Sequence, residues 1–245
     1  MFNTIYMDVF RLILGIILKP IIILNLKAYK EAMNKHLYEI HEVVETVCRE
    51  FPRIHFAIAP NTIYLSDLCR RKNHTLILAQ HADPVGYGAY TGHIPIIALR
   101  DIGADGFIIN HSEHRVGYET VEKAVRISLE TNLKVCVCAG DLPEVRALSR
   151  LTPNYVAFEP PELIGTGKSV SRMMPEQLKK SVEIILRESE GKSIPICGAG
   201  ITDRRDVELA IKYGSRGILV ASAFVKAKNK KQILRDFAIA IEDNI

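Results

Sequence analysis

Four short groups of polar residues carry the chemistry that this chain could perform. Asn25-Leu26-Lys27 offers an amide and an ammonium, Asn110-His111-Ser112-Glu113 an amide, an imidazole and a carboxylate, and Glu159-Pro160 a carboxylate ahead of a loop that ends Ile164-Gly165-Thr166-Gly167. The fourth group is a late series of small residues: Gly198 and Gly200, then Ala221 and Ser222. An amide, an ammonium, an imidazole and a carboxylate suit proton transfer beside a carbonyl without metal or cofactor. Small residues let backbone N–H groups approach an anion, so the late series suggests a phosphate. Glu159 follows the apolar run Tyr155-Val156-Ala157-Phe158. An unpaired carboxylate is costly inside an apolar core, so Glu159 is expected to face a cleft. Each group also has a plainer reading: Lys27 as a solvated loop lysine, His111 as a ring satisfied at a helix start with Ser112 as N-cap, the glycines as turn residues.

The positioning elements can be read from hydrophobic periodicity. Eight short β-branched runs recur from Pro20 onward: Ile21 to Leu24, Ile54 to Ala59, Thr75 to Gln80, Gly106 to Asn110, Lys134 to Cys138, Asn154 to Phe158, Ile194 to Cys197 and Gly217 to Val220. Between them lie helical stripes such as Leu37, Ile40, Val44, Val47, Cys48 and Leu178, Val182, Ile185, Leu186. Continuous apolar strands joined by crossover helices imply a parallel sheet covered by helices, and eight such units close an α/β (β/α)8 barrel. An open doubly wound sheet is the rival, but no Gly-x-Gly-x-x-Gly follows the first strand. In a barrel, active sites form at the carboxyl ends of strands, where Asn25, Lys27, His111 and Glu159 are expected.

At 245 residues, with 48% hydrophobic and 24% charged, the chain suits one domain, residues 19–245, with one large core. A net charge of +4, with a late cluster at Lys228, Lys230 and Lys231, favours small anionic substrates over nucleic acid. That cluster reads either as a solvated helix start or as a subunit contact. Five cysteines, an odd number, suggest reduced thiols in a cytoplasmic protein; Cys136 and Cys138 share a strand face but lack a second ligand pair, so they read as core and no metal site is expected. Residues 1–18 form an N-terminal extension whose apolar run, Leu12 to Leu18, is too short to span a membrane. Asp8 ahead of that run, and no small-x-small cleavage site after it, make a poor secretory signal. A helical or frayed appendage, or a start codon set too early, accounts for it.

Taken in order, Asn25-x-Lys27, Asn110-His111-Ser112-Glu113, Glu159-Pro160 with its Ile164-Gly165-Thr166-Gly167 loop, and Gly88-Ala89-Tyr90-Thr91-Gly92 resemble the triosephosphate isomerase family from about Pro20 to Ala227. The resemblance implies a TIM barrel that interconverts dihydroxyacetone phosphate and D-glyceraldehyde 3-phosphate through an enediolate, in glycolysis and gluconeogenesis, with no cofactor. It implies Glu159 as the base, neutral His111 beside a helix N-terminus as the group that polarises the carbonyl, and Lys27 as the cation that offsets enediolate and phosphate charge. Asn25 would donate to a substrate oxygen and Glu113 would hold the lysine and histidine in order. Gly165, Gly200, Ala221 and Ser222 would bind the substrate on its phosphate side, with residues Pro160 to Gly167 closing as a lid.

The lid reads Pro161-Glu162-Leu163 with no tryptophan, Cys197-Gly198-Ala199-Gly200 lacks a serine, and His93 stands where glutamate is common. With the short barrel, these departures resemble the compact archaeal branch, implying a homotetramer, with a dimer as the alternative. Two other readings stay open: another phosphosugar barrel enzyme, such as an epimerase or a synthase of aromatic amino acid biosynthesis, and a barrel that binds a phosphometabolite without catalysis.

Overall fold

A computed structural model describes residues 19–245; the expected extension over residues 1–18 lies outside the described residues. Eight parallel strands close on themselves in sequence order: β1 (Ile21–Asn25), β2 (His55–Ala59), β3 (Leu76–Ala79), β4 (Gly106–Ile109), β5 (Lys134–Ala139), β6 (Tyr155–Phe158), β7 (Ile194–Cys197) and β8 (Gly217–Val220). The closure is β1 on β8, with Ile21 opposite Gly217 and Leu24 opposite Val220. Every strand expected from the sequence forms, with ends displaced by no more than a residue. The chain is therefore the expected (β/α)8 barrel.

Two apolar layers follow from the period-two alternation of strands. One set of side chains, including Ile21, Ile23, Ala57, Leu78, Ile108, Cys136, Cys138, Tyr155, Ala157, Ile196 and Leu219, packs inside the barrel. The other set, including Ile22, Leu24, Phe56, Ile77, Phe107, Val137 and Phe158, packs outward against the helices. Cys136 and Cys138 are thus lumen packing, and no group of three or more ligating side chains suited to a metal occurs among the described residues.

The covering helices are α1 (Lys35–Glu50), α2 (Leu65–Arg71), α3 (Ile96–Asp101), α4 (Tyr118–Thr131), α5 (Leu142–Ser149), the single turn α6 (Val170–Met173), α7 (Pro175–Glu188), α8 (Arg204–Lys212), the single turn α9 (Ser222–Val225) and α10 (Lys230–Glu242). The stripe of α1 is buried as its spacing requires, whereas in α7 Leu186 is only half-buried and Ile184 lies in the core instead. Glu45 of α1 reaches the turn ahead of β3 and accepts from the N–H groups of Asn73, His74 and Thr75, at 2.9, 3.0 and 3.1 Å. That closes backbone donors which the short strand leaves open. Lys230 and Lys231 begin α10 with Asn229 as N-cap, and Lys231 pairs with Glu50 of α1. No helix among the described residues is long and apolar enough to cross a membrane.

Candidate active site

Parity explains how three strands aim their end residues. Ile21 and Ile23 face the lumen, so Asn25 does too; Tyr155 and Ala157 face it, so Glu159 follows. Leu78 faces it and Gln80 follows in the same way. From Ile108, regular alternation would send His111 outward among the helices. Asn110, at φ +60°, interrupts the alternation, and the His111 ring ends with Nε2 3.6 Å from Glu159 Oε1. Asparagine tolerates this left-handed backbone better than most residues. It is fixed by three bonds: Nδ2 to Cys138 O and Glu144 Oε1, at 2.9 and 2.8 Å, and Oδ1 from Val116 N at 3.0 Å.

One expectation for this segment is overturned. No helix starts at His111: residues 112–114 form a turn, α4 begins at Tyr118 with Gly117 as its N-cap, and the Ser112 hydroxyl is buried without a partner. The ring is instead addressed by the next turn, in which Glu113 N donates to His111 Nδ1 at 3.1 Å. An accepting Nδ1 leaves the proton of a neutral imidazole on Nε2, the nitrogen nearer Glu159. Eight residues, 110–117, separate the end of β4 from the start of α4.

Lys27 is also held in a left-handed backbone, at φ +47°, unusual for a lysine. Its N–H donates to Asn25 Oδ1 at 3.1 Å, its carbonyl accepts from Gln80 Nε2 at 3.0 Å, and its ammonium meets Glu113 Oε1 at 2.8 Å. Glu113 Oε2 lies 3.8 Å from His111 Nδ1, so one carboxylate borders both the Lys27 ammonium and the His111 ring.

Glu159 does not stand in an open cleft. It is 1% exposed, and neither carboxylate oxygen has a hydrogen-bond partner. Burial raises its pKa, and the opposing pulls of His111, the Cys138 thiol, Lys27 and Arg115 do not cancel that. It lines a narrow cavity of ≈60 Å³ together with Asn25, Lys27, His111, the lid residues Ile164, Gly165 and Gly167, and Gly200, Ala221 and Ser222. Every residue expected in the site except Glu113 therefore borders one cavity. Glu113 lines the adjoining cleft of ≈560 Å³ with Gln80, His81 and His93, where Asn25, Lys27 and His111 also appear.

The lid begins as a turn of 3-10 helix at Pro161–Leu163 and passes through Gly165 and Gly167, both near φ +70°, at +73° and +71°. Gly200, at φ +74°, packs so close to Lys168 O that a Cβ would overlap it, so its smallness serves the lid exit as well as the cavity. Gly198 leaves room for Glu159: a Cβ there would overlap Glu159 Cγ and lie 3.2 Å from Oε1. Gly198→Ala is expected to displace the carboxylate and lower kcat roughly 100-fold, as misplacement near 1 Å does, with a destabilisation of about 1–3 kcal/mol. Steady-state kinetics with a melting curve check it; wild-type kcat would show that Gly198 does not set the carboxylate.

Gln80 and Glu144 were not signalled by residue type, while Asn110 was expected only as an amide at a strand end and Gly198 only as a small residue beside an anion. Parity could have found Gln80, the polar residue that extends the lumen-facing Leu76 and Leu78 of its strand. The other three depend on contacts between distant segments, such as Glu144 joining Asn110, Arg115 and the Gly140 N–H at 2.8, 3.0 and 2.6 Å.

The family model described as triosephosphate isomerase matches residues 20–237. A triosephosphate isomerase from Caldivirga maquilingensis is 41% identical over 219 residues, covering 89% of this chain and 96% of that protein. Proteins of the same name from Methanopyrus kandleri and Methanosarcina acetivorans are 38% and 37% identical, covering 91% and 89% of this chain and 98% and 96% of theirs.

Proposed function

The chain belongs to the triosephosphate isomerase family and interconverts dihydroxyacetone phosphate and D-glyceraldehyde 3-phosphate, a step of glycolysis, and we propose that Glu159 carries the proton between the two carbons. The Glu159 carboxylate removes a proton from C1 of the ketone. The C–H electron pair becomes the C1–C2 double bond, and the carbonyl oxygen takes up charge. His111 meets that oxygen with its Nε2–H and exchanges protons among the two oxygens. Glu159 then returns a proton to C2, which leaves an aldehyde at C1.

The observation that carries this reading is an unpartnered buried carboxylate 3.6 Å from an imidazole whose other nitrogen is already occupied. Proton transfer by a positioned base contributes roughly 10²- to 10⁴-fold. Lys27 balances the enediolate charge and Asn25 donates to the substrate oxygen, while Glu113 keeps the lysine placed. In a dry cavity such charge stabilisation exceeds what it gives in water.

Gly165 from the lid, with Gly200, Ala221 and Ser222, holds the phosphate through backbone amides, and closure keeps water from the enediolate. The short helix α9, which begins at Ser222 on the cavity wall, supports this side of the reading. Purified protein in the presence of a chelator should convert glyceraldehyde 3-phosphate to dihydroxyacetone phosphate. Loss of that conversion on chelation, restored by a metal, would contradict it.

The same reading includes self-association as a homotetramer, with a dimer as the alternative, in the cytoplasm, and a part in gluconeogenesis by the reverse direction. Exposed Ile63 and Tyr90, next in sequence to Thr62 and Thr91 of the larger cleft, support a protein partner surface. Light scattering on the purified protein reads the assembly directly.

A further inference from the structure

Asp206 is 1% exposed and sits at the third position of α8, where with Asp203 it forms a reciprocal N-terminal cap. Such a cap needs one side-chain oxygen to accept one backbone N–H. Asp206 does far more. Its Oδ1 accepts from Ser169 Oγ at 2.6 Å and meets Arg172 Nε at 2.6 Å. Its Oδ2 accepts from Thr202 N at 2.8 Å, Thr202 Oγ1 at 2.6 Å and Asp203 N at 3.3 Å. Its own carbonyl accepts from Ser171 Oγ at 2.9 Å.

These partners come from two places. Ser169, Ser171 and Arg172 are the first residues after the lid; Thr202 and Asp203 end the loop after β7, the loop that contributes Gly198, Gly200 and Thr202 to the cavity. The same two segments touch again where Val170 N donates to Ala199 O at 3.2 Å and where Gly200 lies against Lys168 O. Arg172 adds a fork to Asp203, at 2.6 and 2.7 Å. Five donors therefore converge on one buried carboxylate, two from the lid exit and three from the phosphate-side loop. A carboxylate so fully bonded keeps its charge inside the protein, and its pKa is lowered despite burial.

We propose that Asp206 is a positioning residue that couples the lid exit to the loop after β7, so that gripping the phosphate and closing the lid are one event. The inference rests on the isomerase reading of the cavity. Binding energy from a non-reacting group accelerates chemistry only when it is transmitted to the reacting centre. Asp206 supplies the transmission: the segment that ends the lid is tied to the segment that holds the phosphate. The consequence is selective. A substrate with a phosphate gains from the tie, and one without it does not.

The test compares glyceraldehyde 3-phosphate with unphosphorylated glyceraldehyde in wild type and Asp206→Asn, which keeps the shape and removes the charge. Asp206→Asn is expected to lower kcat/KM for the phosphorylated substrate roughly 10- to 100-fold, while kcat/KM for glyceraldehyde changes by less than about twofold. Equal losses on both substrates, or no loss on either, overturn the coupling. If Asp206→Asn does not fold, Ser169→Ala removes one donor to a charged acceptor and should show the same selectivity with about a tenfold loss. Arg172→Gln, at a side chain 44% exposed, is a further variant that the fold should tolerate. A wild type that fails to isomerise glyceraldehyde 3-phosphate would instead overturn the function on which the inference rests; an active wild type with an unselective Asp206→Asn overturns the coupling alone.

Discussion

Replacing Glu159 with glutamine is expected to lower turnover at least 10²- to 10⁴-fold, to leave binding of a phosphoglycolate inhibitor largely intact, and to raise the melting temperature. The first two effects follow from removing a base while keeping its shape. The third follows from burial. Both Glu159 oxygens lack partners inside the protein, so the ionised form is held there against its solvation. Its pKa in the folded chain is raised above the unfolded value, so the folded state binds the proton more tightly. Stability therefore declines as pH rises from the unfolded pKa through the folded one, and the full cost is present above the folded pKa.

Glutamine carries no such cost. The variant should gain a few degrees at neutral pH and lose that gain below the ordinary carboxylate range, about pH 4. The same shift sets activity: the acid limb of kcat/KM should fall at a pH above that of an exposed glutamate, about 4.3, because the free enzyme must ionise Glu159 first. Melting curves and rate profiles across pH check both. A variant less stable than wild type at neutral pH would contradict the unpaired state of the carboxylate.

Lys27→Met is the second large effect expected, a loss of roughly 10²- to 10³-fold in kcat/KM, the scale of losing one electrostatic contact in the transition state. Both kcat and KM should suffer, because the ammonium borders both the reacting end and the phosphate side. Stability should change little. The partner left behind, Glu113, is 54% exposed, and such a pair contributes at most about 1 kcal/mol. The left-handed backbone at Lys27 is kept by the Asn25 and Gln80 contacts, which methionine leaves in place. Kinetics beside a melting curve separate the cases: a large drop in melting temperature with the rate loss would mean that Lys27 serves the fold.

The barrel was legible because its eight strands are apolar on both faces and β1, β3, β4 and β6 run into the polar residues Asn25, Gln80, Asn110 and Glu159, a pattern fixed by hydrogen bonding and burial alone. Asn25 and Glu159 were legible for the same reason, since strand parity carries their direction from Ile23 and Ala157. His111 was legible by residue type and by resemblance but not by geometry. Its approach to Glu159 depends on a left-handed Asn110 that is stabilised by Glu144 and Cys138, more than twenty residues away. The helix start expected at Ser112 fails because the loop continues to Gly117, which local propensity does not encode. Gly198 reads as a turn glycine until Glu159 is seen against it, and Asp206 as an ordinary cap until five donors are seen to converge. Long-range contacts of this kind have no signature in residue spacing.

The most direct test of Glu159 as the proton carrier is the uptake of solvent deuterium at C1 of dihydroxyacetone phosphate by purified wild type and Glu159→Gln in heavy water. Wild type should label C1 while it isomerises, and the variant should bind phosphoglycolate yet label at a rate lower by the same factor as its turnover. Labelling and turnover in Glu159→Gln close to those of wild type would contradict the account.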